Sequence, residues 1–268
     1  MPYADNDGVS VYYEVAESDD SADSIDSDAE TVVLLADAGY GAWQWSWQSP
    51  ALAGPFEVVI PNARGTGRSD AADAYTIGAM AADLEAVLAD PGVRKAHLVG
   101  AGMGGMVALR YALDFSRAET LSLLGTSPGG PRAEPIPSGI RDRLLAAPDD
   151  AEALRESLRP VASDDLLETD DLVRRITEWR REEDASREVQ EAHFEAMAQF
   201  DASDWLYEII LPALILHGAD DRVIPVEDGR LLADGLPKGE FREFSGERLF
   251  FVDHSKAVND ALVGFLEE

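Results

Sequence analysis

The chain has 268 residues, of which 46% are hydrophobic, so it can form one large α/β domain or two small ones around an ample core. Its 52 acidic and 22 basic side chains give a net charge of -30, which would repel phosphate backbones and anionic lipid, so neither a nucleic acid nor a membrane is an expected partner. Cysteine is absent, which excludes disulfides, thiolate nucleophiles and thiolate metal sites.

The first half of the chain alternates short apolar strands with helices. The acidic segment 17–30 interrupts this pattern and predicts a solvated hairpin loop. The predicted elements are a strand at 9–15, strands at 31–35 and 56–60, a helix at 77–88, a strand at 96–100, a helix at 106–113 and a strand at 120–125. Such alternation predicts a mostly parallel sheet with helices on both faces.

The pattern changes after residue 130. Residues 131–205 contain amphipathic helical segments with no strand between them, which predicts a helical cap, or lid, inserted into the sheet domain. The sheet resumes with strands at 212–218 and 240–244, each followed by a helix. We therefore expect an α/β core formed by residues 1–130 and 206–268.

Four loop motifs join these elements. They are RGTGRSD at 64–70, GAGMGG at 100–105, LLGTSPGG at 123–130 and LILHGADDRVIP at 214–225. Together with the element order, they resemble the α/β-hydrolase fold, most closely small capped esterases and enol-lactone hydrolases. The resemblance implies a serine on a G-x-S-x-G turn, a histidine base, an acid that orients the histidine, and backbone donors for an oxyanion.

Three positions of this chain match the catalytic triad of that family. The serine position holds Gly102, which has no nucleophile, while the acid position is retained as Asp221. An ungapped register places Arg248 at the histidine position, and arginine keeps its proton at ordinary pH. We expect Arg248 to pair with Asp221, because a buried carboxylate without a partner is costly. A solvent-facing loop arginine is the alternative.

The oxyanion region also departs from the family pattern. The family's His-Gly pair after strand 31–35 is replaced by Ala36 and Asp37, which adds a carboxylate. Ligands collect at the carboxyl ends of parallel strands. The residues expected to line a ligand pocket are Asp37, Ala38, Met103 and Ser127.

The four histidines offer few candidates for a base. His97 and His217 fall within predicted strands and His193 in a predicted cap helix, so all three are expected to be packed or surface residues. His254 lies six residues after Arg248, at the mouth of the last helix. An exposed helix-start residue is the simpler interpretation of His254, and a displaced base is the other.

The turn at 100–105 also spells G-x-G-x-x-G, the dinucleotide fingerprint. That fingerprint needs an acidic residue at the end of the next strand, which here ends in GTSPGG, and it normally opens the first βαβ unit. A dinucleotide-binding oxidoreductase is therefore a remote alternative.

Two functions remain from these residues. The first is a non-hydrolytic protein, without cofactor or metal, that binds or senses a small apolar or carbonyl-containing ligand. The alternative is a hydrolase or lyase that acts on an ester, lactone or related carbonyl compound through a rebuilt site of Asp37, Asp221 and Arg248.

Two further expectations concern the environment. Only three lysines accompany the net charge of -30, which predicts a protein of a salt-rich, halophilic cell. Neither a basic apolar leader nor an apolar run of about 18 residues is present, which predicts a soluble cytoplasmic protein.

Overall fold

A computed structural model describes residues 2–16 and 30–268. The strands within these residues are β1 (Tyr3–Asn6), β2 (Val9–Ala16), β3 (Thr31–Leu35), β4 (Glu57–Pro61), β5 (Ala96–Ala101), β6 (Ala118–Leu124), β7 (Ala213–Gly218) and β8 (Gly239–Phe244). They form one sheet in the order β1-β2-β4-β3-β5-β6-β7-β8. β1 and β2 are antiparallel to their neighbours, and the pairs from β4 to β8 are parallel.

Helices cover this sheet and fill the segment between β6 and β7. The helices are α1 (Ser49–Leu52), α2 (Ile77–Ala89), α3 (Met103–Asp114), α4 (Ser138–Leu144), α5 (Ala151–Glu156), α6 (Asp164–Leu167), α7 (Asp170–Glu183), α8 (Arg187–Ala198), α9 (Val226–Gly235), α10 (Phe250–Asp253) and α11 (Ser255–Leu266). Helices α4 to α8 form an insertion between two neighbouring strands of the sheet. The predicted α/β-hydrolase fold, a mostly parallel sheet with a helical insertion, is confirmed.

The centre of the sheet forms the core. Every residue of β3 and β5 is buried, because helices cover a parallel sheet on both faces and leave no polar side for its strands. Helix α3 packs on β5 and on α2. No helix within residues 2–16 and 30–268 is long and apolar enough to span a bilayer.

Buried polar contacts join the helical insertion to loops of the sheet. Asp184, at the end of α7, accepts a hydrogen bond from Trp43 Nε1 at 2.6 Å, and Arg180 of the same helix holds the carboxylate in place from Nε at 2.6 Å. His193 of α8 accepts from the Gly39 N–H at 3.1 Å, and its other nitrogen lies 3.1 Å from the Arg64 carbonyl oxygen. These contacts fix the insertion over the loops that follow β3 and β4.

The predicted hairpin between residues 9–15 and 31–35 is wrong. β2 pairs with β1 and β4, whereas β3 pairs with β4 and β5, so the two strands are not adjacent. The hairpin of this region joins β1 to β2 instead. The sequence pattern missed β1 because an edge strand of four residues carries too few apolar positions to show alternation. Most of the acidic segment predicted as a loop, residues 17–29, lies outside the described residues.

Candidate functional site

Four loops meet at the carboxyl edge of the sheet, where parallel α/β proteins usually bind ligands. Asp37 follows β3, Gly102 joins β5 to α3, and Asp221 follows β7. Arg248 lies between β8 and α10. We call these four residues the elbow cluster, since they surround the turn at Gly102.

Gly102 has the backbone geometry of a tight strand-to-helix turn. Its φ of 50° and ψ of -113° lie where only glycine avoids strain. A Cβ built on Gly102 would collide with Asp37 Oδ1 and with Arg248 Nη2. The volume that a side chain at this position would need is therefore filled by the two neighbouring side chains.

The Asp37 carboxylate lies between two backbone donors. Its Oδ1 accepts hydrogen bonds from the Ala38 N–H at 2.7 Å and from the Met103 N–H at 2.9 Å. In α/β-hydrolases the oxyanion hole is formed by the N–H of the residue after the nucleophile and an N–H from the loop after the third strand. Met103 and Ala38 occupy those two positions, so an internal carboxylate oxygen takes both donors.

Arg248 bridges the two carboxylates of the cluster. Its Nε donates to Asp37 Oδ2 at 2.7 Å, and its Nη1 donates to Asp221 Oδ2 at 3.1 Å and to the Gly125 carbonyl oxygen at 3.0 Å. The side chain is 4% exposed. Burial by itself would lower the pKa of the Arg248 guanidinium, but the charges of Asp37 and Asp221 outweigh burial and raise this pKa above its usual value. Arg248 is therefore permanently cationic.

Asp221 is held by its own loop as well as by Arg248. Its Oδ1 accepts hydrogen bonds from the N–H groups of Val223, at 2.8 Å, and Ile224, at 3.1 Å. His217 Nε2 lies 3.7 Å from Asp221 Oδ2 but only 2.9 Å from the Ile224 carbonyl oxygen. Burial lowers the pKa of His217, so its contact with Asp221 is not an ion pair.

The remaining histidines have packing partners outside the elbow cluster. His97 Nδ1 lies 2.9 Å from Thr120 Oγ1 on the neighbouring strand. Burial lowers the pKa of His193 to about 4, so this residue is neutral at pH 7. His254 is half-buried at the start of α11, where its Nε2 lies 3.0 Å from Ser245 Oγ and its ring stacks on Phe244.

The residues expected to line one pocket line three separate cavities. Asp37 and Ala38 border a cavity of about 10 Å³ next to Arg248, which is room for roughly one water molecule. Met103 borders a cavity of about 40 Å³ on the side of α2 and β4. Ser127 borders a cavity of about 450 Å³ beneath the helical insertion. Only this last volume is in the range that accommodates small organic ligands.

We call the 450 Å³ space the insertion cavity. Its apolar lining includes Met106, Phe194, Met197 and Phe200, and Phe194 also borders the 10 Å³ cavity beside Arg248. None of these four residues belongs to a sequence motif. A usable signal was present, because Phe194 and Met197 are three residues apart and therefore share a face of the amphipathic helix α8.

Supporting residues of the cluster were also missed. Gln44 Oε1 accepts a hydrogen bond from the Asp37 N–H at 2.8 Å and so fixes the start of the loop. No sequence signal identifies Gln44, because its role depends on a turn that brings it back to Asp37.

In residues 2–16 and 30–268, no group of three His, Asp or Glu side chains is arranged to hold a metal ion.

Comparison with known proteins identifies the family. Residues 31–255 match the family model described as alpha/beta hydrolase fold. This chain therefore belongs to the α/β-hydrolase family, as its motifs indicated. The Gly102 turn is therefore the strand-to-helix turn of the α/β-hydrolase fold, which argues against the dinucleotide-binding alternative.

Particular relatives are hydrolases by name. RutD of Caulobacter vibrioides, named as a carbamate hydrolase, is 32% identical over 248 residues, covering 89% of this chain and 90% of that protein. The 2-hydroxy-6-oxo-6-phenylhexa-2,4-dienoate hydrolase of Burkholderia cepacia is 32% identical over 230 residues, covering 80% and 79%. The enol-lactonase of Burkholderia xenovorans LB400 superposes with a TM-score of 0.85 over the full length of both chains, at 23% identity.

These relatives favour the hydrolase alternative over the non-hydrolytic interpretation. They do not describe the residues of this chain's elbow cluster, which have to be interpreted from their own geometry.

Proposed function

We propose that this chain is a non-hydrolytic member of the α/β-hydrolase family that binds a small apolar or carbonyl-containing ligand. The observation that carries the proposal is the position of Asp37 Oδ1, which accepts hydrogen bonds from the Ala38 and Met103 N–H groups. Those two donors would otherwise stabilise the oxyanion that develops during acyl transfer. A resident anion competes directly with that role.

The rest of the elbow cluster supports the same proposal. Gly102 offers no hydroxyl, and Arg248 remains protonated because two carboxylates stabilise its charge. An acyl-transfer mechanism needs a nucleophile and a base that can accept its proton. Neither Gly102 nor Arg248 can supply one.

The insertion cavity is the proposed ligand site. The space beside Arg248 has room for about one water molecule, whereas the insertion cavity has a volume of about 450 Å³. We further propose that residues 131–205 act as a cap domain over a core of residues 1–130 and 206–268. The five helices of the insertion and the buried contacts of Asp184 and His193 support that division.

The second candidate is a hydrolase or lyase that uses Asp37, Asp221 and Arg248 on an ester, lactone or related carbonyl compound. The names of the relatives favour it. In this case Asp37 would have to leave the backbone donors and act as a base or nucleophile, with Arg248 stabilising the negative charge that develops.

One experiment separates the candidates. The rates of hydrolysis of p-nitrophenyl acetate and of a simple enol lactone would be measured for the wild type, Asp37→Asn and buffer alone. We expect the wild type and Asp37→Asn to be indistinguishable from buffer. Turnover by the wild type that Asp37→Asn abolishes would establish the second candidate and overturn the first. Pre-treatment with a fluorophosphonate removes contaminating serine esterases from the measurement.

A reversion experiment tests the filled site itself. The single variant Gly102→Ser places a Cβ against Asp37 and Arg248, so we expect no labelling by a fluorophosphonate probe. The triple variant Gly102→Ser, Asp37→Gly, Arg248→His removes both obstructing side chains and supplies a base beside Asp221. We expect only the triple variant to be labelled. Labelling of the single variant would show that Asp37 and Arg248 do not block the position.

A further inference from the structure

The insertion cavity contains an arginine that lacks an ion-pair partner among the described residues. Arg141 of α4 lines the cavity and is partly buried, yet it forms no ion pair and no side-chain hydrogen bond within residues 2–16 and 30–268. Every other arginine or lysine in this part of the chain that lacks such a partner is exposed to solvent. This exception is notable in a chain with 52 acidic side chains.

The position of the guanidinium relates its charge to the apolar lining. The Arg141 Cζ lies 6.0 Å from the centre of the Phe194 ring, and both residues border the cavity. Arg141 therefore lies at the edge of a surface formed by Phe194, Met197 and Phe200. A planar guanidinium next to an apolar wall suits a ligand with an anionic head and an apolar body.

We propose that the insertion cavity binds a small monocarboxylate with an apolar body, and that Arg141 pairs with its carboxylate. This inference rests on the proposed function, because it names the ligand class for the same cavity. The net charge of -30 repels anions from the protein as a whole, so an anionic ligand needs a local cation at its site. Arg141 supplies that cation, and the aromatic and methionine side chains cover the body of the ligand.

Three acidic residues lie near the same cavity, and one of them, Asp201, is exposed and lies against Gly130 of the lining. Glu134 lines the cavity, but its side chain is exposed and forms no ion pair with Arg141 in the described structure. Asp228 is buried behind the lining, where its Oδ1 accepts a hydrogen bond from the Glu134 N–H at 3.3 Å. Because water screens the Glu134 charge, this carboxylate weakens the attraction of Arg141 for an anion but does not cancel that attraction.

The test compares an acid with its neutral analogue. Titration calorimetry at pH 7 would measure the binding of 4-phenylbutanoate and of 4-phenylbutanamide to the wild type, Arg141→Gln and Arg143→Gln. Arg143 lies on the same helix, is exposed and forms no ion pair with any described residue, so Arg143→Gln matches the change in net charge. We expect the wild type to bind the acid about tenfold more tightly than the amide, the size of one charge-assisted hydrogen bond.

The variants then assign the preference to Arg141. Arg141→Gln should bind the acid and the amide equally, Arg143→Gln should retain the preference, and Glu134→Gln should increase it. Ala133→Trp fills the cavity and should abolish the binding of both probes.

The outcomes separate this inference from the proposed function. Equal binding of both probes to the wild type, lost in Ala133→Trp, would overturn the role of Arg141 and leave a neutral-ligand site. A preference for the acid that survives in Arg141→Gln would also overturn it. Binding of neither probe would overturn both proposals for the cavity.

Discussion

The elbow cluster and the insertion cavity lie side by side, separated by Phe194, and differ in what occupies them. At the elbow cluster three charged side chains satisfy one another and leave room for about one water molecule. In the insertion cavity about 450 Å³ is open, and the guanidinium of Arg141 has no ion-pair or hydrogen-bond partner among the described residues. The α/β-hydrolase fold can thus have side chains that fill the usual catalytic position and still keep an open cavity beside it.

The largest expected effect comes from removing the central charge of the filled region. Arg248→Met leaves the Asp37 and Asp221 carboxylates buried without a counter-ion, so we expect a loss of about 3 to 5 kcal/mol in the free energy of unfolding. Urea denaturation measures it. Arg230→Met is the matched control, because Arg230 also bridges two carboxylates, those of Glu227 and Glu243, but is 49% exposed.

The control should lose less than about 1 kcal/mol. Similar losses in the two variants would mean that burial does not distinguish the Arg248 bridge from a surface bridge.

The double variant Asp221→Ala, Arg248→Ala should lose less unfolding free energy than the sum of the losses of its single variants, since the two side chains are in contact.

The second effect is a pH dependence where the insertion contacts the loops of the sheet. His193 is neutral in the folded protein because its pKa is lowered to about 4, whereas in the unfolded chain it titrates near 6.5. The unfolded state therefore binds the extra proton first, and stability falls as the pH drops from about 6.5 to 4. The contribution of His193 is on the order of 3 kcal/mol.

A matched variant isolates His193 from the other titrating groups. Protonation would place a second N–H donor against the Gly39 N–H, which now donates to His193 Nδ1. The slope of stability against pH between 4 and 6.5 should therefore be smaller for His193→Gln than for the wild type. Equal slopes in urea denaturation at several pH values would assign the dependence to other groups.

The third effect compares the free space of the two regions directly. Ala38 borders the 10 Å³ cavity and Ala133 borders the insertion cavity. Ala38→Leu should overpack the filled region and lose about 1 to 3 kcal/mol. Ala133→Leu has room for its side chain and should remain within about 0.5 kcal/mol of the wild type. Thermal and urea unfolding would measure both losses. A larger loss for Ala133→Leu than for Ala38→Leu would contradict the difference in free space between the two regions.

The smallest expected effect is the change that salt makes in the stability loss caused by Arg248→Met. At about 1 M KCl the Debye length is about 3 Å, so the repulsion among the surface charges behind the net charge of -30 is screened. The melting temperature of the wild type should rise with KCl, as the halophile interpretation requires. The loss caused by Arg248→Met should change little, because buried pairs are screened much less. A melting temperature that is flat or falls with KCl would contradict the halophile interpretation.

The fold was largely readable from the sequence because its elements have strong periodic patterns. The predicted strand at 31–35 matches β3 residue for residue, and the helix predicted to follow the strand at 212–218 is α9. The misses are short elements, such as β1 and α10, in which four residues are too few to establish a period. The pairing of β2 was also missed, because strand order depends on contacts between distant segments and not on local pattern.

The candidate site was only partly readable. Motif positions identified Gly102, Asp37, Asp221 and Arg248 as residues to consider, and the structure brings all four together. The sequence offered no means of recognising Arg141 as an unpaired cation. Arg141 is unpaired because no described carboxylate lies within ion-pair distance of it, and only the tertiary structure shows which carboxylates are nearby.

By itself, the sequence determined the order of the longer elements, the resemblance to the family, and the absence of a hydroxyl at Gly102. Each of these depends on residue identity or local periodicity, which folding does not alter. Only the tertiary structure decided that Asp37 Oδ1 lies between the N–H groups of Ala38 and Met103, and that Arg248 joins Asp37 across 211 positions of sequence. The physical reason is that a hydrogen bond depends on direction over a few tenths of an ångström, and the packing of distant strands sets that direction.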